Sequence, residues 1–243
     1  MNVAAYRERR RRLQESEPRY RRLCTVCLQP DFSCYCGEIR KFDPGIKFVI
    51  LNHPIEMRRR IATGRMSHLC LEDSELIVGH DYSADPKVNA LIEDPRFHPV
   101  ILYPGPSSFN LSLCGAEEKR RRFPGDRKLL VFVIDGTWAT ARQTSRQSDN
   151  LRRLPRISFT PPRASNFRVR KQPASECFST IEAIHHSIEL LGDVAGFDLS
   201  SRRHDHLIEM FDLMVERQLR IIAAKGRERL SPRAWRQYRL DEN

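Results

Sequence analysis

Short apolar runs alternate along this chain with stretches in which apolar residues recur at helical spacing. The clearest run is Leu129-Leu130-Val131-Phe132-Val133-Ile134, six consecutive apolar residues rich in β-branching, the pattern of a strand buried on both faces. Shorter runs predict further strands at Lys47 to Leu51, Glu75 to Val78, Val100 to Tyr103 and Arg156 to Phe159. Between them the 3.6-residue period predicts helices near residues 55–72, 86–93, 138–148 and 180–191, with a closing amphipathic helix from Leu207 to Ala224. Strands that alternate with helices imply crossover connections, so the expected fold is α/β with a mostly parallel sheet. The sequence carries no internal repeat.

The central run leads straight into Asp135-Gly136-Thr137-Trp138. Gly136 allows a tight reversal, and Thr137 is a good N-cap for a helix with Trp138, Ala141 and Ser145 on one face. Ligands of open α/β sheets collect beyond the carboxyl ends of the strands, which places Asp135 at a rim where chemistry is usually done. The plain structural alternative is an acid that only caps its turn. Other predicted strand ends are also unusual: Asn52-His53-Pro54-Ile55-Glu56 followed by Thr63-Gly64-Arg65, and Tyr103-Pro104-Gly105. Farther on, Phe167-Arg168-Val169-Arg170-Lys171-Gln172 alternates apolar and basic residues as an extended edge segment would. Ser179-Thr180-Ile181-Glu182-Ala183 then reads as an N-cap with an acid close behind.

Composition sharpens the picture. In 243 residues the net charge is +11 and the isoelectric point is near 9.7. Arginine dominates, and guanidinium groups pair phosphate bidentately, so a polyanionic partner is expected. Residues 1–22 hold eight arginines against three glutamates, yet more than half of the excess charge lies beyond them. No apolar run approaches the roughly 20 residues of a membrane span, and no signal-peptide core is evident at the start, so a soluble, cytoplasmic protein without membrane contact is expected. An Arg-rich segment over residues 1–22, a cysteine-rich segment over 23–40 and an α/β domain over 41–243 make up the expected organisation.

Four of the seven cysteines, Cys24, Cys27, Cys34 and Cys36, fall within thirteen residues. Four thiolates on a turn-rich segment too short to bury a core are what a tetrahedral structural zinc requires; an iron-sulfur cluster or free thiols are the alternatives. Cys70, Cys114 and Cys177 read as small buried hydrophobes. His185-His186 and His204-Asp205-His206 lack an obvious further ligand at helical spacing and read as surface or core histidines. Neither G-x-x-x-x-G-K-[ST] nor G-x-G-x-x-G after a strand occurs, which leaves room for an adenosine cofactor that needs no phosphate cradle, such as S-adenosylmethionine.

Taken in order, the cysteine knuckle, Thr63-Gly64-Arg65, Tyr103-Pro104, the D-x-T-W of Asp135 to Trp138, Phe167 to Arg170 and Ser179 to Ala183 resemble the DTW-domain family, the tRNA-uridine aminocarboxypropyltransferases. The resemblance covers roughly residues 22–192. That family often carries Asn before the Thr-Gly-Arg triplet, where this chain has Ala62. The resemblance implies a SPOUT-like α/β fold with a knotted C-terminal part, S-adenosylmethionine as donor, and transfer of its 3-amino-3-carboxypropyl group to a uridine of tRNA. A uridine imide is a poor nucleophile until its proton is accepted, which makes Asp135 the expected base or orienting acceptor. On the same resemblance Tyr103, Pro104 and Gly105, Gly136, Thr137 and Trp138, and Ser179, Thr180 and Glu182 are expected to frame the donor. Thr63, Gly64 and Arg65 would meet its carboxylate or the RNA, while Arg168, Arg170 and Lys171 would hold the tRNA backbone. Two rival readings are a SPOUT-like RNA methyltransferase and a non-catalytic zinc-ribbon RNA-binding protein. An acid-plus-Trp turn is surplus to a binder.

Overall fold

The computed structural model describes residue 8 and residues 22–59, 61–170, 174 and 177–225. The chain divides into two compact units, residues 1–37 and 38–243. In the first, the backbone turns sharply after Cys24: the Leu28 N–H donates to the Cys24 carbonyl at 2.9 Å, and Leu28 takes a left-handed φ of 57°. An antiparallel bridge pairs Leu23 with Pro30 and closes the turn.

The second unit is built on a six-stranded sheet in which all pairings are parallel. Its strands are β1 (Lys47–Asn52), β2 (Ser74–Val78), β3 (Phe97–Leu102), β4 (Phe109–Asn110), β5 (Lys128–Asp135) and β6 (Arg156–Ser158), in the spatial order β2-β1-β5-β3-β6-β4. Helices α1 (Thr63–Cys70), α2 (Pro86–Glu93), α3 (Ala116–Arg122), α4 (Trp138–Gln147), α5 (Asp149–Arg152), α6 (Thr180–Leu191) and α7 (His206–Lys225) connect and cover it. Leu129 to Val133 of β5 are buried because β1 and β3 flank the strand and layers cover both faces. Val49, Leu51, Tyr82, Val88, Ile101, Leu130 and Phe132 form the packed core of one face, while α1, α6 and α7 pack on one another.

The order of the sheet decides where a site can form. The register sets Asn52 beside Asp135 and Leu102 beside Val133, so β1, β3 and β5 end together. Thr137 caps α4 by accepting from the Thr140 N–H at 3.1 Å, and the strand-turn-helix unit read from the sequence forms as expected.

Two local expectations require correction, and two elements carry no sequence signal. The helix expected over 55–72 shortens to Thr63–Cys70; the residues before it form only a 3-10 turn over Glu56–Arg58, since Arg59 takes an extended conformation. The Phe167 to Arg170 segment is a turn, with the Arg170 N–H donating to the Phe167 carbonyl at 3.0 Å, and not an extended edge. Both of its apolar residues are buried, Phe167 edge-on to Phe211 at 5.3 Å. Strand β4 is two residues long, below the reach of any period. Helix α3 has no apolar stripe; its Glu117 and Glu118 lie in the first turn and its Lys119 to Arg122 in the last, matching the helix dipole.

Candidate functional site

Beyond the carboxyl ends of β3, β5 and β6 lies a cavity of about 490 Å³, within the size range of small-molecule sites. Leu102, Tyr103 and Pro104 line it after β3, and Gly136, Thr137 and Trp138 after β5. Ser158, Phe159 and Pro161 follow β6, and Phe178, Ser179 and Thr180 contribute from the start of α6. Thr63, Phe167 and two arginines, Arg59 and Arg170, complete the wall. The lining is chiefly apolar and aromatic: Phe159 and Phe178 approach at 5.8 Å, and the Arg156 guanidinium lies over the Tyr103 ring at 5.5 Å.

Asp135 is not among the lining residues. It is 4% exposed and sits behind the wall, where Thr180 Oγ1 donates to its Oδ1 at 2.6 Å. Its Oδ2 is buried with no hydrogen-bond partner among the described residues. Gly64, in the first turn of α1, faces that oxygen so closely that an added Cβ would stand 2.3 Å from it. Burial pushes the Asp135 carboxyl up to about 6, against the opposing pull of the Thr180 hydroxyl; Glu56 nearby pushes the same way as burial. Three segments far apart in sequence, around Gly64, Asp135 and Thr180, thus meet at one carboxylate, and only Thr180 joins it to the cavity.

Of the expected donor residues, Thr63, Tyr103, Pro104, Gly136, Thr137, Trp138, Ser179 and Thr180 line the cavity. Gly64 is turned to Asp135 instead. Arg65, 5% exposed, donates to the carbonyl and sulfur of Met57 at 3.4 and 3.1 Å. Gly105 belongs to a turn closed by the Ser108 N–H. Glu182 completes a capping box with Ser179 and also accepts from Ser165 Oγ at 2.7 Å and the Asn166 N–H at 3.0 Å, so its oxygens are engaged. Among the expected RNA residues Arg168 is exposed, Arg170 turns into the cavity, and Lys171 lies outside the described residues.

Sequence reasoning missed Arg59, Phe159 and Phe178 as cavity residues, and gave Glu56 no role. Glu56 is 2% exposed, with Arg59 Nη1 at 3.2 Å and Arg170 Nη2 at 3.8 Å from its Oε1. Its place at a strand end was visible; nothing distinguished Arg59 from its arginine neighbours. Cys177, read as a buried hydrophobe, lines the cavity and is half-buried, as is Cys114, whereas Cys70 is fully buried.

In the first unit the sulfurs of Cys24, Cys27, Cys34 and Cys36 lie within 4.8 Å of one another. The pairs Cys24 with Cys36 and Cys27 with Cys34 are each 3.6 Å apart, close to the roughly 3.8 Å edge of a tetrahedron with 2.3 Å zinc–sulfur bonds. Backbone N–H groups of Cys27 and Val26 hold the Cys24 thiol down to about 6, while burial raises Cys27 and Cys36. The four cysteines fit a zinc ion.

A second cluster gathers the histidines that the sequence read as surface or core residues. His185 and Glu189 stand one turn apart on α6, and the fold brings His204 and Asp205 to them, all four ligand atoms within 4.8 Å. The Arg202 guanidinium already bridges the two acids there, at 2.7 Å from each. The cluster is therefore an ion-pair network between α6 and the approach to α7, in which His204 Nδ1 alone is buried without a partner among the described residues.

The DTW domain family profile matches residues 21–219. The chain is similar to tRNA-uridine aminocarboxypropyltransferase 2 of Drosophila melanogaster, 28% identical over 183 residues that cover 72% of this chain and 68% of that protein. The proteins of the same name from Macaca fascicularis and Mus musculus are each 26% identical, over 72% and 69% of this chain. The matched stretch spans 58% and 56% of those two mammalian relatives. No solved structure matches the chain significantly.

Proposed function

The chain belongs to the DTW domain family, and from that premise we propose that it transfers the 3-amino-3-carboxypropyl group of S-adenosylmethionine to a uridine base of tRNA. The observation that carries this reading is Thr180, in the wall of a largely apolar cavity at the strand ends, hydrogen-bonded to Asp135 buried behind it, in a chain similar to enzymes named for that transfer. The donor supplies a carbon made electrophilic by its sulfonium. Uridine N3 forms the new C–N bond to it, the C–S bond breaks with its electron pair passing to sulfur, methylthioadenosine leaves, and the N3 proton must be taken up.

This chain's own residues are suited to those demands. Tyr103, Phe159, Phe178 and Trp138 offer faces for the adenine, the uracil and a sulfonium cation while excluding water. Trp138, 38% exposed, stands where RNA would enter. Thr180 Oγ1 accepts the imide proton as its own hydrogen passes along the 2.6 Å bond to Asp135. A carboxyl raised toward 6 is a better acceptor than an ordinary one, because it lies nearer the working pH. Asp135 thus acts through Thr180, not by touching the base.

The same reading makes Cys24, Cys27, Cys34 and Cys36 the ligands of a structural zinc that holds the knuckle folded. It gives residues 1–22, 23–40 and 41–243 to an Arg-rich lead, a zinc knuckle and a SPOUT-like catalytic domain with a knotted C-terminal part, acting on tRNA in the cytoplasm. Exposed Arg168 and the Arg-rich lead supply phosphate contacts. Among the described residues no helix is long and apolar enough to cross a membrane.

The test is to incubate the purified chain with S-adenosylmethionine and unmodified tRNA, digest the RNA and weigh the nucleosides. The reading expects aminocarboxypropyluridine together with methylthioadenosine. Methyluridine with S-adenosylhomocysteine would make this a methyltransferase instead, and no turnover of the donor would leave an RNA-binding protein.

A further inference from the structure

Two arginines line the cavity. Arg59 and Arg170 have side chains only 30% and 21% exposed, and both lie within 3.8 Å of the same buried oxygen, Glu56 Oε1. Arg170 also lies over the Phe167 ring at 5.9 Å and feels the charge of Asp135. Both arginines line the cavity together with Tyr103, Phe159 and Phe178, so they set two positive charges in a largely apolar wall.

We propose that Arg59 and Arg170, held about one point by Glu56, form a clamp for the α-carboxylate of the donor's aminocarboxypropyl group. The inference rests on the donor proposed above. The planar fork of a guanidinium matches a carboxylate, and two of them satisfy all of its lone pairs. An RNA phosphate is the competing anion, but the two guanidiniums line a cavity of about 490 Å³, the size of a small-molecule site, which favours one arm of the donor. Anchoring the carboxylate would fix the aminocarboxypropyl chain, whose sulfonium-bound carbon lies between the clamp and the sulfur. The family resemblance gave Arg65 to the donor carboxylate or the RNA and Arg170 to the tRNA backbone; Arg65 is engaged with Met57, and Arg170 lines the cavity.

The experiment measures binding of S-adenosylmethionine and of decarboxylated S-adenosylmethionine, which lacks only the carboxylate, to the zinc-loaded full chain by titration calorimetry. The wild-type protein is expected to prefer the carboxylated form by about 10- to 100-fold, the worth of a charge-assisted pair of hydrogen bonds. Arg170→Met should abolish most of that preference while leaving the decarboxylated form within about twofold, and Arg170→Lys, a guard against misfolding, should retain part of it. Equal wild-type affinity for the two forms overturns the clamp and leaves the donor assignment standing. Equal weakening of both by Arg170→Met also overturns it, as does an intact preference accompanied by a shallower salt dependence of tRNA binding, which would make Arg170 a phosphate contact. Failure of the wild-type protein to bind either form would remove the donor assignment and the clamp with it.

Discussion

Replacing Gly64 with Ala adds one methyl group where the chain has no room for it. The new Cβ would stand 2.3 Å from Asp135 Oδ2, 2.5 Å from Cγ and 3.0 Å from Cβ, so the closest approach falls about 1.1 Å short of an ordinary 3.4 Å contact. Either α1 retreats from β5 or the carboxylate swings away from Thr180, whose hydroxyl bond to Oδ1 is only 2.6 Å long. Overpacking of this kind costs roughly 1–3 kcal/mol, offset by up to about 1 kcal/mol from the better helix propensity of alanine. A net loss of about 1–2 kcal/mol in chemical denaturation is expected. Activity should fall more steeply, on the order of 10²-fold in single-turnover transfer, because a displacement near 1 Å disrupts a positioned group. The same substitution made in an Asp135→Ala background, where the two nearest atoms are gone, should cost much less, giving a coupling of about 1 kcal/mol or more. A Gly64→Ala protein as stable and active as wild type, or one whose cost is unchanged in the Asp135→Ala background, would refute the idea that this glycine exists to seat the carboxylate.

The pH dependence of stability tests Asp135 from another side. Since its carboxyl is raised to about 6 in the folded chain, the folded state binds more protons than the unfolded one between about pH 4 and 6, and stability falls as pH rises through that window, by roughly 3 kcal/mol in total. Asp135→Asn should flatten the fall in urea titrations across that range, and an unchanged slope would show that another group titrates. Cys24→Ser with Cys34→Ser should reduce zinc per chain from one to near zero by elemental analysis; full retention would exclude the four-cysteine site. Glu182→Ala leaves the Ser179, Ser165 and Asn166 donors without their shared acceptor and should lower stability by about 2–4 kcal/mol, while a loss under 1 kcal/mol would mean that water replaces the carboxylate.

What could be read from the sequence was whatever local pattern carries. The run Leu129 to Ile134 declared a central strand, and Thr137 declared the helix start after it, because burial and capping act over a few residues. Glycine at position 64 is different. Its backbone has no unusual φ, and its reason is an approach by a carboxylate 71 positions away in sequence, which no spacing rule encodes. Glu182 is legible in the opposite sense: Ser-x-x-Glu reads as a capping box from sequence and the structure makes it one, whereas its place at the donor came only from family likeness. The alternating Phe167 to Arg170 segment has the period of a strand, but two buried aromatic and aliphatic side chains held by a turn give the same period without a sheet partner. Helix α3 was invisible because charge at its ends, not an apolar stripe, marks it.

Under the proposed transfer, the opposition between exposure and basicity accounts for an acid of D-x-T-W that is not itself in the cavity. A carboxylate lining a wet cavity would be solvated and stay near its ordinary pKa, a weak acceptor for an imide proton. Sealing it behind Gly64 at the end of β5 raises it toward 6, but burial also takes it out of reach of any ligand. Thr180 resolves the conflict, since a hydroxyl can donate to the buried oxygen and accept from the cavity side at once. That hydroxyl is held in place by the capping box directly after it, through which Glu182 fixes Ser179 and so the first turn of α6. On the proposed reading, Asp135, Thr180 and Glu182 form a single chain of dependence in which Thr180 is the member that meets the substrate, Asp135 sets how basic it is and Glu182 fixes where it stands.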